Sequence, residues 1–103
     1  MKFEEWQEID IRIGEVKVAE RLKGTELYVL TVDFGSEQRT IVTKLAKWYT
    51  AEELTGKKIP FLLSLEPRKI FGIESQGMMV NVFTDRPIFL APEEDVPRGT
   101  RVC

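Results

Sequence analysis

The chain contains no histidine, and that absence removes more chemistry than any other feature of the composition. Without an imidazole, no Ser-His-Asp or Cys-His nucleophilic site can be assembled within one chain. Cysteine is almost as scarce, with a single Cys103 at the last position. One thiol cannot close a disulfide within the chain, and with no histidine beside it no Cys/His zinc site can be built. Cys103 reads as a free thiol on a frayed end, with a disulfide across a dimer as the alternative. Long apolar runs are also missing. No stretch approaches the roughly 18 residues of a membrane span. The N-terminus MKFEEWQEID is acidic and lacks the basic-then-apolar order of a secretory leader. These absences predict a cytoplasmic protein with no catalytic residue, metal, cofactor or membrane partner.

What is present fits one domain over residues 1–103, with 43% apolar and 31% charged residues. A chain of this size buries roughly two-thirds of its unfolded surface and folds without staples. The net charge of −2 argues against a nucleic-acid partner, but the charges are unevenly spread. Between Arg39 and Lys69 stand seven basic and three acidic residues, a net +4 that leaves −6 for the remainder. Much of the acid lies at the ends, in Glu4, Glu5, Glu8, Asp10 and Glu93, Glu94, Asp95. Such asymmetry predicts a basic face for an anionic partner.

The apolar pattern gives the order of elements. In IDIRIGEVKV, Ile9, Ile11 and Ile13 alternate with polar residues, and after Gly14 the phase moves by one to Val16 and Val18. A slip of one residue at a glycine predicts a bulge or sharp bend, letting one long strand serve two sides of a small barrel. Leu27–Phe34 and Arg39–Leu45 read as the next two strands of an antiparallel meander. Thr50-Ala-Glu-Glu53 has the spacing of a capping box, and Gly56 is placed to stop a helix of one or two turns. Ile59–Leu65 and Met78–Phe83 read as strands four and five, with Ile88–Leu90 a short strand-like piece in the tail. The order β-β-β-α-β-β is that of an all-β, five-stranded OB-fold Greek-key barrel, with a short helix between strands three and four and extensions at both ends. That fold binds ligands on the face of strands two and three, between the one-to-two and four-to-five loops. Here those loops are Glu20–Glu26 and Ser64–Met78.

The four-to-five loop, SLEPRKIFGIESQGM, carries the candidate chemistry. Pro67 fixes the backbone, and Arg68 and Lys69 project beside it as phosphate contacts. Ser75 offers a hydroxyl to backbone or phosphate. It is no nucleophile, because Ile73 stands where a nucleophile elbow needs glycine. Gly72–Gly77 lacks the Gly-Lys-Ser/Thr ending of a phosphate loop, and Gly56-Lys57-Lys58 lacks the preceding glycine and the following hydroxyl, so neither supports nucleotide hydrolysis. Phe71, Trp48 and Tyr49 read either as stacking platforms for bases or as packing. Arg12 alternates with the isoleucines and reads as outward-facing. Phe3, Trp6 and Ile9 recur at a spacing of three, as on one helical turn that covers either the barrel end or a second subunit. With the tail from Ile88, Phe3 and Trp6 carry more apolar bulk than the barrel needs, which predicts a homodimer interface.

FEEWQEIDIRIGEV, LYVLTVDFG, RTIV, YTAEELTGKKIPFLLSLEPRKIFGIESQGMMV and APEEDVPRGTRV together resemble the tRNA-binding domain family over nearly the whole chain. That family includes the C-terminal domain of methionyl-tRNA synthetase, free-standing dimeric tRNA-binding proteins and CsaA-like chaperones. The specific combination is Asp10-x-Arg12-x-Gly14, Leu65-x-Pro67-Arg68-Lys69, Gly72 and Ser75-x-Gly77-Met78. The resemblance implies an OB-fold, homodimerisation in free-standing members, and tRNA binding by shape and backbone. Carried over residue by residue, it adds Arg12, Ser75 and Met78 to Arg68 and Lys69 as RNA-binding positions. Ser64 stands where the family usually has asparagine, Glu26 removes a cation and Lys44 adds one; Lys44 and Ser64 complete the expected RNA site. No catalytic synthetase domain fits in 103 residues and the termini read as complete, so no aminoacylation is expected. The expected partners are tRNA, a second copy of the chain and a tRNA synthetase served in trans. The alternative is an export chaperone that holds unfolded polypeptides through Phe71, Met78 and Met79.

Overall fold

A computed structural model describes residues 1–103. The elements in chain order begin with α1 (Phe3–Glu8), β1 (Ile11–Arg21), β2 (Leu27–Asp33), β3 (Gln38–Lys44) and α2 (Ala51–Leu54). Then come β4 (Lys58–Leu62), β5 (Arg68–Ile70), β6 (Ile73–Ser75), β7 (Met78–Met79), β8 (Asn81–Phe83), β9 (Pro87–Phe89) and β10 (Arg101–Val102). The main sheet runs β3-β2-β1-β4-β7, with β10 added to β1, and curls into an OB-like barrel. No helix is long and apolar enough to cross a membrane.

Strict alternation builds β2. Tyr28, Leu30 and Val32, with Phe34 beyond the strand end, are buried, while the residues between them are half-buried. Phe34 meets Phe61 of β4 edge to face at 5.7 Å, an arrangement that aligns positive ring edge with negative ring face. Leu54, the one buried residue of α2, joins the same core. Its helix starts as the sequence predicts: the Thr50 hydroxyl accepts the Glu53 N–H at 3.2 Å, and Glu53 accepts the Thr50 N–H at 2.9 Å.

β1 is the long strand that serves two sides. Ile11–Glu15 pair with β4 and Glu15–Arg21 pair with β2, both antiparallel. The bulge expected at Gly14 lies elsewhere, where the register shifts between Val16 and Val18. The phase change at Gly14 has another cause. Gly14 faces the core, where an added Cβ would meet Val32 Cγ1 at 2.5 Å and Phe34 Cε1 at 2.6 Å. Ile13 faces the other way and is buried beneath the C-terminal tail, beside Pro60, Leu90, Val96 and Val102. Around Gly14 the strand is buried on both faces, so the apolar side changes there without a bulge at the glycine.

Two further expectations change. The fifth strand breaks at Val80, whose N–H goes to the Pro60 carbonyl at 3.0 Å. β7 stays on β4, whereas β8 leaves to form a hairpin with β9. The four-to-five segment is itself a hairpin, β5–β6, rather than open loop. Its two-residue turn is Phe71-Gly72, with φ of +50° and +78°, the doubly positive pattern of a type I′ turn.

The barrel closes through side chains. Along the free edge of β3, the Val42 N–H donates to the Ser75 hydroxyl at 3.0 Å and the Thr40 N–H donates to Gln76 Oε1 at 3.0 Å. The Gln76 N–H returns a bond to the Thr40 carbonyl at 2.8 Å. Arg39 Nη1 donates to the carbonyls of Leu63 and Gln76 at 3.0 and 3.1 Å. An unpaired strand edge is a liability, and these bonds cover it.

Candidate nucleic-acid interface

The closure bonds seat the β5–β6 hairpin against β3 and fix what each residue of the expected site faces. Ser75 is 5% exposed, and its hydroxyl also donates to the Gly77 carbonyl at 3.1 Å. With those bonds made inside the protein, Ser75 positions the hairpin and is not on the exposed surface. Ser64 is exposed but likewise engaged, accepting the Asp10 N–H at 3.0 Å and tying the end of β4 to the start of β1.

Arg68 and Lys69 are exposed but do not project side by side. Successive side chains of a strand point to opposite faces. Arg68 stands opposite Ser75 and shares a cleft of about 60 Å³ with Val42, Leu65, Ile70 and Met78. Lys69 stands opposite Glu74, on the other face of the hairpin. Met78 is half-exposed at the rim of the Arg68 cleft.

Arg12 is partly covered, with its side chain 36% exposed. It shares the core-side face of β1 with Gly14, is paired in register with the buried Phe61, and is half-buried near the barrel end. Its guanidinium is held by Asp10 at 2.9 Å. The isoleucines with which it alternates are the residues that face the tail.

Lys44, at the end of β3, is exposed and lines a second, open cleft with Arg21, Glu26, Ile70 and Phe71. That cleft lies between the β1–β2 turn and the hairpin tip, where an OB-fold holds its ligand. Sequence reasoning missed Arg21, because its position in the cleft depends on β1 running three residues past Val18.

Ion pairing sorts the cations. Arg12, Lys17, Arg39, Lys58, Arg86 and Arg98 each lie within 4.0 Å of a carboxylate. The side chains of Lys44, Arg68 and Lys69 do not, and none of the three donates a hydrogen bond within the chain; Lys2 and Lys23 are likewise free but lie away from the hairpin in sequence. The basic segment is therefore not one continuous face. Lys58 is held by Asp95 of the acidic tail at 2.8 Å, and Lys57 and Lys47 lie over the rings of Phe89 and Trp48.

The three aromatic candidates divide in the same way. Tyr49 is packing: its hydroxyl donates to the Pro87 carbonyl at 2.6 Å and its ring lies 4.5 Å from that of Phe89. Trp48 is half-buried and meets Phe83 edge to face at 6.5 Å. Phe71 is 74% exposed.

At the other end, α1 has no buried residue, and Phe3 and Trp6 are exposed. They border an open hollow with Ile9, Val102 and the exposed Cys103. Arg101 fixes the helix by donating to the Gln7 and Ile9 carbonyls at 3.0 and 3.2 Å. Ile88 is half-buried in β9, paired with Val82, and does not border this hollow.

Comparison with known proteins gives a consistent answer. The family model described as "Putative tRNA binding domain" matches residues 11–101. The methionine–tRNA ligase of Archaeoglobus fulgidus is 45% identical over 105 residues, covering 100% of this chain and 16% of the ligase. That of Flavobacterium johnsoniae is 40% identical, covering 99% of this chain and 15% of the ligase. The chain thus spans about one-sixth of the length of these relatives. Among solved structures, a MetRS-related protein from Pyrococcus horikoshii superposes with a TM-score of 0.93 at 42% identity, covering 100% of this chain and 97% of that one. The chaperone CsaA from Bacillus anthracis superposes at 0.90 with 25% identity, covering 100% and 98%.

Proposed function

The chain belongs to the tRNA-binding domain family, and on that premise we propose that it is a non-catalytic, cytoplasmic protein that binds tRNA by shape and phosphate backbone and serves a tRNA synthetase in trans. The observation that carries this reading is that three of the cations whose side chains have neither a carboxylate nor a hydrogen-bond partner, Lys44, Arg68 and Lys69, group around the hairpin and the end of β3. Burying a phosphate contact against a free cation releases counterions and breaks no internal pair. Arg12 is the weaker contact, because Asp10 already holds it. Ser75, from behind the surface, fixes the hairpin, and the exposed Ser64 ties the end of β4 to the start of β1. Met78 lines the wall of the Arg68 cleft. Phosphate contacts position an RNA without reading its sequence, so different tRNAs bind alike.

The protein acts as a homodimer in this reading. The exposed Phe3 and Trp6, beside Val102, form an apolar surface that a second copy covers. Ile88 enters that interface only if the second copy reaches across to β9. Sedimentation is expected to give about twice the monomer mass of 11.9 kDa.

The test is a titration against bulk tRNA over a salt series, with Arg68→Ala and Lys69→Ala separately and together. Each change is expected to weaken binding to all tRNAs alike and to flatten the log–log salt slope by roughly 0.7–0.9 for each phosphate no longer neutralised. Unchanged affinity and slope in a folded double variant would remove the hairpin from the RNA site. One observation favours a second reading, binding of unfolded polypeptides. The likeness to CsaA comes with exposed Phe71 and Met78, and methionine adapts to varied partners. Tight, salt-insensitive binding of an unfolded protein, with weak tRNA binding, would favour that reading.

A further inference from the structure

Phe71 stands in a conformation and a setting that favour a different residue. It is the first central residue of a type I′ turn, where both positions need positive φ and Asn, Asp or Gly are preferred. A bulky side chain at φ +50° is a backbone outlier, and such strain persists where the surroundings or the function require that side chain. Packing does not explain it, because the ring is 74% exposed. Asparagine here would relieve the strain and remove the exposed apolar surface together. The ring also lies at a particular place. It borders the open cleft with Lys44, which is free of any carboxylate, and Arg21, whose Nε is held by the Thr25 carbonyl at 3.1 Å. Glu26 is the one acidic residue of that lining.

We propose that Phe71 is a stacking platform for an unpaired nucleobase, with Lys44 on the phosphate of the same or a neighbouring nucleotide. The inference rests on the RNA-binding reading and adds to it a preference for unstacked, single-stranded positions over continuous duplex. Any base offers a π-face, so the contact tolerates sequence, and a rigid turn presents the ring with little further ordering. A polypeptide ligand is the weaker fit, because the free Lys44 at the rim does nothing for an apolar segment.

The experiment compares three RNAs on the intact protein: a stem-loop, the same stem with abasic loop nucleotides, and the fully paired duplex. The abasic loop keeps every phosphate and removes the bases. Wild-type protein is expected to bind the stem-loop about 5- to 150-fold more tightly than the abasic form, the range for one stacked base. Phe71→Asn is expected to fold with undiminished stability, because it suits the turn, and to erase that difference while leaving abasic and duplex binding unchanged. Phe71→Trp is expected to keep the difference, with emission above the Trp6 and Trp48 background quenched by the stem-loop and not by the abasic form. Retention of the preference in Phe71→Asn, or equal weakening on all three RNAs, would overturn the inference and leave tRNA binding standing. If the wild-type protein binds no RNA at low salt, the RNA reading fails and this one fails with it. Loss of unfolded-polypeptide binding in Phe71→Asn, with RNA binding intact, would assign the ring to the polypeptide instead.

Discussion

The β5–β6 hairpin and the C-terminal tail both lie against the barrel, and both carry charge. In the tail, charge is what docks. Asp95 holds Lys58, Arg98 reaches Asp33 at 2.6 Å, and Arg101 donates to two carbonyls of the N-terminal segment. The hairpin's own docking groups are neutral, and the one charge at that seam, Arg39, belongs to β3. The Ser75 hydroxyl and the Gln76 amide bond the edge of β3, and Arg68 and Lys69 take no part. An exposed ion pair contributes only about 0–1 kcal/mol, so the tail also relies on covering Ile13. The tail uses both of its cations, Arg98 and Arg101, in attachment, whereas a segment attached through hydroxyl and amide groups keeps its cations available. The two regions therefore separate attachment from recognition.

The largest way to break that contrast is at the seat of the tail. Gly99 sits at φ +87°, its N–H donates to the Ile13 carbonyl at 2.7 Å, and an added Cβ would press on the Phe34 carbonyl. Gly99→Ala combines backbone strain with overpacking, at a cost of about 2–4 kcal/mol. Denaturant unfolding reads this as a lower midpoint. RNA affinity of the folded protein should not change, because the tail contributes nothing to the hairpin side. A parallel loss of RNA affinity would show that the two regions are coupled.

The next effect is at the hairpin's own attachment. Ser75→Ala leaves the Val42 N–H without its partner in a buried position, which costs about 1–2 kcal/mol. Unlike the tail variant, it should also weaken RNA binding, because Arg68 stands directly opposite residue 75 in the ladder. An Arg68→Ala variant is expected to weaken binding with stability unchanged. If Ser75→Ala destabilises the protein and leaves RNA affinity intact, the hairpin's docking does not set the position of its cations.

Local signals were legible in the sequence and distant ones were not. The capping box at Thr50–Glu53 lies within four residues, and the structure reproduces both of its bonds. The buried face of β2 follows from period-two alternation alone. The bulge was misplaced because a phase change has two physical causes, an extra residue or a second buried face. Only the tail, more than eighty residues away, decides between them at Gly14. The hairpin read as loop because its strands have three residues each and Phe-Gly is not a usual hairpin turn. That same irregularity marks Phe71 as unusual. The closure by Arg39 and Gln76 left no local signal, since neither residue's partner adjoins it in sequence. For the site, the loop and the cation types were legible. That Arg68 and Lys69 face apart, and that Arg12 is held by Asp10, required the strand register and the ion pairs.

The smallest effect tests the contrast most directly, because it uses one residue type in two settings. Lys44 and Lys58 lie at the ends of neighbouring parts of one barrel, and each is one methylene chain and one ammonium. Lys58 has Asp95 at 2.8 Å and the Val96 carbonyl at 3.0 Å, and Lys44 has neither kind of partner. Lys58→Ala should lower stability by about 0.5–1 kcal/mol, the range of a partly exposed pair, and leave tRNA binding and its salt slope unchanged. Lys44→Ala should leave stability within about 0.5 kcal/mol, as exposed substitutions usually do. It should lower tRNA affinity and flatten the salt slope by roughly 0.7–0.9, the value for one phosphate contact. Thermal unfolding and a salt-series titration on both variants give four numbers, and the contrast requires them to cross. If Lys58→Ala flattens the slope as much as Lys44→Ala does, the RNA responds to the protein's summed field. In that case an internal partner does not remove a cation from recognition, and the distinction between docking charges and binding charges fails.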